Sequence, residues 1–431
     1  LHRPPSLFDY SVLVIGAGPA GTSAALRTRA AGLSTLIVEK SAFPRFRIGE
    51  SLLPQGNALL REIGVWPKIQ QAGFIEKFGA RFLLGHGPAE KTVVFANGLV
   101  PGLDKSYQVD RARFDSLLLD HAAEAGAEVR TETTVRAVIA TEAGYRIEMK
   151  SADGVTTTVT SRWIIDASGR DQFFPSELKS AIDPASCPKR IALYNHFTGV
   201  PREPGPTGGD TVIVRLTDGW FWIIPIDAER TSVGLVTTLA AFKSAALGPA
   251  EYFNQVVAQT PRLQELMAGS TPLMSYHVTA DYSYYRRQLA AERMLLVGDA
   301  GGFIDPIFSS GVYLATYSAK LAAELLIRAE RAGRPLTPNE CQRYTRHLKA
   351  HGGVFKRLID AFYNEKSFSV FMCPLPPWDL ARGLTSIVAG HATLTWGLWW
   401  RFKLFLLVCR LQARLPLVPQ IDLTPKPAPS A

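Results

Sequence analysis

The chain has 431 residues, 47% hydrophobic and 20% charged, with a formal net charge of +9. That is the make-up of a globular protein with one large core or two layered domains, and it excludes a disordered, fibrous or disulfide-stapled chain. The excess of lysine and arginine comes without an RNA- or DNA-binding motif, so nucleic acid is set aside, leaving a solvated basic surface or one that attracts an acidic partner.

In chain order, residues 8–40 read as strand, turn, helix and strand. FDYSVLVIG is short and β-branched, GAGPAGTSAALRTRAAG opens a helix rich in Ala and Leu with Gly32 as its C-cap, and STLIVEK is the second strand. The first apolar run, SVLVIG, is too short for a signal peptide and ends in the glycine motif. FPRFRIGESLLPQG leads into a helix, GNALLREIG, closed by Gly64. Segment 73–110 alternates (ARFLLG, KTVVFA) and predicts strands of a second sheet, and VDRARFDSLLLDHAAEAG (109–126) predicts an amphipathic helix. Residues 127–165 predict a β-meander with Ala-Gly and Asp-Gly hairpins, after which IIDASGR (164–170) returns to the first domain. Residues 190–280 predict a β-rich stretch, RMLLVGDAGG (293–302) a strand entering a glycine turn, and the remainder helices.

The expected fold class is α/β. A discontinuous Rossmann-like nucleotide domain (7–72, 108–175 and 285–330) is joined by a β-rich substrate domain (73–107 and 176–284), a helical C-terminal region (331–420) and a disordered tail (421–431). Cys187, Cys341, Cys373 and Cys409 have neither CxxC nor metal-ligand spacing, which points to no metal and to a reduced, cytoplasmic protein. The run 394–418 is broken by Arg401, Lys403, Arg410 and Arg414, too often for a membrane span. Lys403, Arg410 and Arg414 share one helix face with Arg401 opposite, so the helix packs on the body or lies in a membrane interface.

The glycines of GAGPAG sit where a nucleotide turn requires them. Gly16 allows the tight turn, Gly18 the approach of a pyrophosphate, and Gly21, after Ala20, close helix packing. Glu39 ends the second strand, where a carboxylate accepts hydrogen bonds from a ribose. Ser310 and Gly311 open a helix at a turn whose amides make an anion site, though an N-cap by Ser309 or Ser310 serves equally. Lys77, read alone beside Glu76, is a surface lysine, and WFWIIP (220–225) is a buried aromatic strand.

Taken together these motifs resemble the flavin-dependent halogenases, over roughly residues 8–330. The resemblance rests on GAGPAG, VDRARFD, DASGR and GDAGGFIDPIFSSG in flavoprotein order, on FPRFRIGESLLP (43–54), and on KFG (77–79), ADYSY (280–284) and WFWIIP. It implies an FAD-binding fold of the hydroxylase type and an enzyme using FADH2 from a separate flavin reductase. A C4a-hydroperoxyflavin would oxidise chloride or bromide to hypohalous acid. The halogen would then pass through Lys77 to an electron-rich aromatic, a phenol or pyrrole, including one tethered to an acyl- or peptidyl-carrier protein. It implies cofactor contacts from Gly16, Gly18, Ala20, Gly21, Glu39, Lys40, Arg47, Ile48, Ser51, Arg111, Asp299, Gly311 and Val312, halide binding at Ser310 and Gly311, and a Trp220–Trp222 wall between flavin and substrate. Where the tryptophan-acting members carry a glutamate two residues before Ser310, this chain has Phe308, which disfavours free tryptophan as substrate. The competing expectations are a non-halogenating monooxygenase or prenyl-type reductase on the same scaffold, and a flavin-binding module without catalysis.

Overall fold

The computed structural model describes residues 7–171, 173, 182–183, 189–280, 283–373 and 378–424. Cys187, Asp281 and Tyr282 of ADYSY, and the tail from 425 lie outside these residues.

A parallel sheet carries the first glycine turn. β1 (Tyr10–Ile15) lies between β2 (Thr35–Val38) and the last half of the strand Thr156–Asp166, with Leu13 level with Leu36 and Ile164. Glu128–Arg130 extends this sheet beyond β2, and Met294–Leu296 extends it beyond the 156–166 strand. These strands read as unbroken apolar runs because both faces are covered. Val12, Val14 and Ile37 pack against α1 (Pro19–Ala30) and a long helix, Gly311–Arg331, while Leu13, Ile15 and Leu36 pack on Tyr145, Ile147 and Met149 of the meander. The meander is not separate from the nucleotide sheet. The single strand Thr156–Asp166 runs antiparallel to Tyr145–Ser151 and then parallel to β1.

The second sheet contains β3 (Gly79–Leu84), β4 (Glu90–Val94), β5 (Arg190–Thr198), β6 (Thr211–Arg215), β7 (Gly219–Pro225) and β8 (Thr231–Thr238). Its order is β5-β8-β7-β6-β3-β4, antiparallel except for β6 beside β3. One face, with Leu193, Val214, Phe221 and Leu235, is covered by three short helices, Leu239–Ala245, Pro249–Ala258 and Pro261–Leu266. The β-rich expectation for 190–280 passed over these helices because each is too short to display a period. Thr238, whose side chain accepts from the Ala241 amide, does mark the first. A further helix, Trp66–Gln71, likewise follows the expected stop at Gly64.

The other face carries Phe82, Tyr194, Trp220 and Trp222, and the C-terminal helices roof it. These are α2 (Pro338–Tyr363), α3 (Glu365–Met372), α4 (Leu380–Val388) and α5 (Trp396–Gln412). The inner side of α5, Leu398, Phe402, Phe405 and Cys409, joins the core that holds the two indoles, so this side of the helix packs on the body. Lys403, Arg410 and Arg414 point outward, and Arg401 turns in to donate to the Trp378 and Gly397 carbonyls. No helix among the described residues is long and apolar enough to cross a membrane. Residues 421–424, expected as the start of the tail, belong to the folded body. Leu423 is buried, its carbonyl accepts from Thr217, and the Ile421 amide donates to Ser369, because this stretch closes the edge of the roof.

Candidate functional site

The glycine turn between β1 and α1 is shaped by contacts that leave no room for a side chain. Gly16 has φ +100°, and a Cβ there would sit 2.4 Å from the Ala167 carbonyl oxygen; one on Gly21 would sit 1.9 Å from that of Gly16. Glu39 is buried and fixes the turn from the side, accepting from the Ala17 amide at 2.9 Å and the Ser41 amide at 3.0 Å. Ala20 lies against Gly298, whose added Cβ would be 3.1 Å from it, so the two glycine segments meet. Beside that junction Asp299 is raised to about 6 by burial, against the pull of the Arg111 and Arg170 guanidiniums.

Arg111 starts the helix Arg111–Glu124. It donates to the Ile48 carbonyl at 2.8 Å and, one turn on, forms a bidentate pair with Asp115. Asp115 also holds Arg45 at 2.9 Å, and Arg45 reaches within 3.6 Å of the position a Cβ on Gly18 would take. Arg47 is exposed, and Lys40 spans the surface to Asp171 at 2.7 Å. The arginine turned toward the glycine turn is therefore Arg45, two residues before the one singled out in the sequence. A glycine turn at a helix N-terminus, a strand-end carboxylate and buried arginines form a set that fits an adenine dinucleotide.

Lys77 ends the short strand Ile75–Lys77, which pairs with Ser106–Gln108. Its side chain is 2% exposed. Nζ donates to Ser51 Oγ at 2.8 Å and to the Leu52 carbonyl at 3.3 Å, and lies 5.3 Å from the Phe95 ring centre. Ser51 meets Thr211 at 3.0 Å, and Gln108 donates to Thr211 at 2.9 Å, so the lysine hangs from a fixed network. Burial pulls its ammonium down to about 7, with Asp210 pulling the other way. Asp210 is pinned by accepting from the Phe78 amide at 2.9 Å, and burial raises its own carboxyl.

Trp220 and Trp222 project from the same face of β7, as residues two apart on a strand must. Their rings are 5.9 Å apart and inclined at 51°. Trp222 lies over Gly234 on β8, where an added Cβ would fall 2.2 Å from the indole, and donates to Ser232 Oγ at 3.1 Å. Trp220 donates to Tyr363 OH at 2.7 Å, and Tyr363 OH donates to Asp305 Oδ2 at 2.6 Å. The Arg190 guanidinium stacks 3.5 Å from the Tyr363 ring centre. Tyr363 thus ties the indole pair to the turn before the long helix.

At that turn Ser310 Oγ is buried without a hydrogen-bond partner and caps no amide. A Cβ on Gly311 would meet nothing within 4 Å. An unpaired buried hydroxyl beside free helix amides suits an anion better than an N-cap does. Val312 shares a small recess with Leu52, Leu53, Gly56, Tyr313 and Thr316, so the carbonyl that receives Lys77 belongs to a residue adjoining this turn. Phe308 is buried against Phe82, Phe362 and Phe371, leaving that position without a carboxylate.

Sequence reasoning missed Arg45, Asp115, Asp210, Gly234 and Tyr363. Only Gly234, a glycine inside a strand, left a signal.

The model of the tryptophan halogenase family matches residues 11–98 and 86–371. The chain is 32% identical over 344 residues to the 1H-pyrrole-2-carbonyl-[peptidyl-carrier protein] chlorinase of Pseudomonas fluorescens, covering 74% of this chain and 76% of that protein. Among solved structures it is similar to a flavoprotein/dehydrogenase from Cytophaga hutchinsonii, at TM-score 0.86 and 28% identity over 94% of this chain and all of that one. It is also similar to the flavin-dependent brominase Bmp2, at TM-score 0.84 and 27% identity over 94% and 99%.

Proposed function

The chain belongs to the flavin-dependent halogenases, FAD-using oxidoreductases that act on halide, and from that premise we propose that Lys77 passes the halogen to an electron-rich phenol or pyrrole. The observation that carries this reading is a fully buried lysine at about 7, suspended from Ser51 and the Leu52 carbonyl.

FAD, held by the glycine turn, Glu39, Arg45, Arg111 and Asp299, supplies in its reduced form, with oxygen, the oxidant that turns halide into hypohalous acid. Ser310 Oγ and the amides from Gly311 onward hold the halide. Lys77 then has two routes open to it. As an amine it exchanges an N–H proton for the halogen, releasing water and forming a haloamine, and the aromatic ring takes the halogen and returns a proton. As an ammonium it donates a hydrogen bond to the hypohalous acid and polarises it toward the ring. At about 7 both forms are present at neutral pH.

The indole pair keeps the ring away from the flavin, so that the oxidant meets halide first. Phe308 offers no charge to stabilise a cationic ring, which favours substrates activated by their own hydroxyl or ring nitrogen. The Pseudomonas relative acts on a pyrrole-2-carbonyl group borne on a peptidyl-carrier protein. That favours a carrier-tethered acyl substrate here, with reduced flavin delivered by a separate reductase.

The test is halide turnover with enzymatically reduced FAD, oxygen and a phenol or pyrrole acceptor. Lys77→Ala is expected to lose halogenated product while binding and reoxidising flavin normally. Product at the wild-type rate from that variant would sink the relay. Lys77→Arg separates the two routes, because a guanidinium donates hydrogen bonds but stays charged and forms no haloamine.

A further inference from the structure

The outer face of α5 is accounted for neither by the core nor by the reaction. Trp396, Trp399, Lys403, Leu407 and Arg410 follow at intervals of three and four, Leu411 lies four after Leu407, and Arg414 follows just past the helix end; all are exposed, Trp396 to 77%. The chain beyond adds exposed Leu415 and Leu417, and Trp378 is exposed nearby. Between residues 380 and 421 there is no aspartate or glutamate. Asp379 takes up Arg382 and Arg401, whereas Lys403, Arg410 and Arg414 face no carboxylate among the described residues. The helix is thus apolar on its inner side, and on its outer side it interleaves indoles and leucines with unneutralised cations.

We propose that this face docks on an anionic lipid surface. Indoles settle at the headgroup level, leucines reach the acyl boundary, and lysine and arginine meet the phosphates. A second copy of the chain is a poor occupant, since it would set three cations against three. A transient carrier-protein contact is only about as apolar as ordinary surface, whereas this ridge exposes three indoles and four leucines. The convex side of a helix matches a plane and needs no recess. Because the inner side of the same helix joins the core around Trp220 and Trp222, docking sets the helical roof over that sheet face against the lipid. The proposal does not depend on the role given to Lys77.

Flotation with vesicles of phosphatidylcholine and phosphatidylglycerol, against phosphatidylcholine alone, tests it with the full chain. The anionic vesicles are expected to carry the protein, with binding that weakens as salt is raised. Each cation at such a surface contributes about fivefold in partitioning, so Lys403→Gln, Arg410→Gln and Arg414→Gln together should lower it about a hundredfold. Trp396→Ala with Trp399→Ala should lower it as well, and halogenation of a water-soluble acceptor should persist in both sets. Three results would overturn the proposal: no flotation on anionic vesicles, flotation unaltered in the variants, or a face that instead mediates dimerisation or binds an acidic carrier domain without lipid.

Discussion

Replacing Lys77 by Met keeps the length of the side chain and removes its charge, and the structure sets the consequence for stability. Holding a lysine at about 7 against an ordinary 10.5 costs about 5 kcal/mol at neutral pH, at about 1.4 kcal/mol for each tenfold in proton affinity. Removing Nζ leaves the Leu52 carbonyl short of a donor and Ser51 with Thr211 alone, a loss of about 1–3 kcal/mol. Lys77→Met should therefore be more stable than wild type by about 2–4 kcal/mol at pH 7, while yielding no halogenated product. Between 7 and 10.5 the unfolded chain holds a proton on this lysine that the folded chain has released. Wild-type stability from this group thus rises with pH across that window and is level below it. The advantage of the variant is largest at pH 7 and below, and near pH 10.5 it has reversed, leaving only the lost hydrogen bonds, so that the variant is there the less stable by about 1–3 kcal/mol. Urea unfolding of the two proteins across this range measures the difference directly. A difference that does not change with pH would show that Lys77 titrates normally and would refute the argument from burial.

Tyr363→Phe leaves the Trp220 indole and the Asp305 carboxylate without their shared hydroxyl, at about 1–3 kcal/mol; hydrogen peroxide released per halogenated product should rise, and an unchanged ratio would show the link to be only structural. Trp222→Ala should cost about 3–5 kcal/mol as a buried cavity, and Gly234→Ala should displace the same indole from the other side, so both should lower coupling between oxygen consumed and product formed. Gly21→Ala drives a Cβ into the Gly16 carbonyl and should abolish FAD binding, read by fluorescence titration, in a chain that still folds by circular dichroism.

The sequence alone carried the elements whose chemistry is local. A nucleotide turn needs glycines at fixed spacing before a helix, and a strand sets residues two apart on one face. GAGPAG and WFWIIP were legible for that reason. The three helices of 239–266 were not, because each is shorter than the window of about 11 residues over which helical periodicity is read. What surrounds the motifs belongs to the tertiary structure. Tyr363 reaches Trp220 across 143 residues, Asp210 reaches the Phe78 amide across 132, and Asp115 takes Arg45 across 70. Contacts so distant in the chain leave no spacing to read. The proton affinity of Lys77 is likewise absent from KFG. It follows from the desolvation imposed when Phe95, Ser51, Leu52 and Asp210, brought from three separate segments, close around one ammonium group.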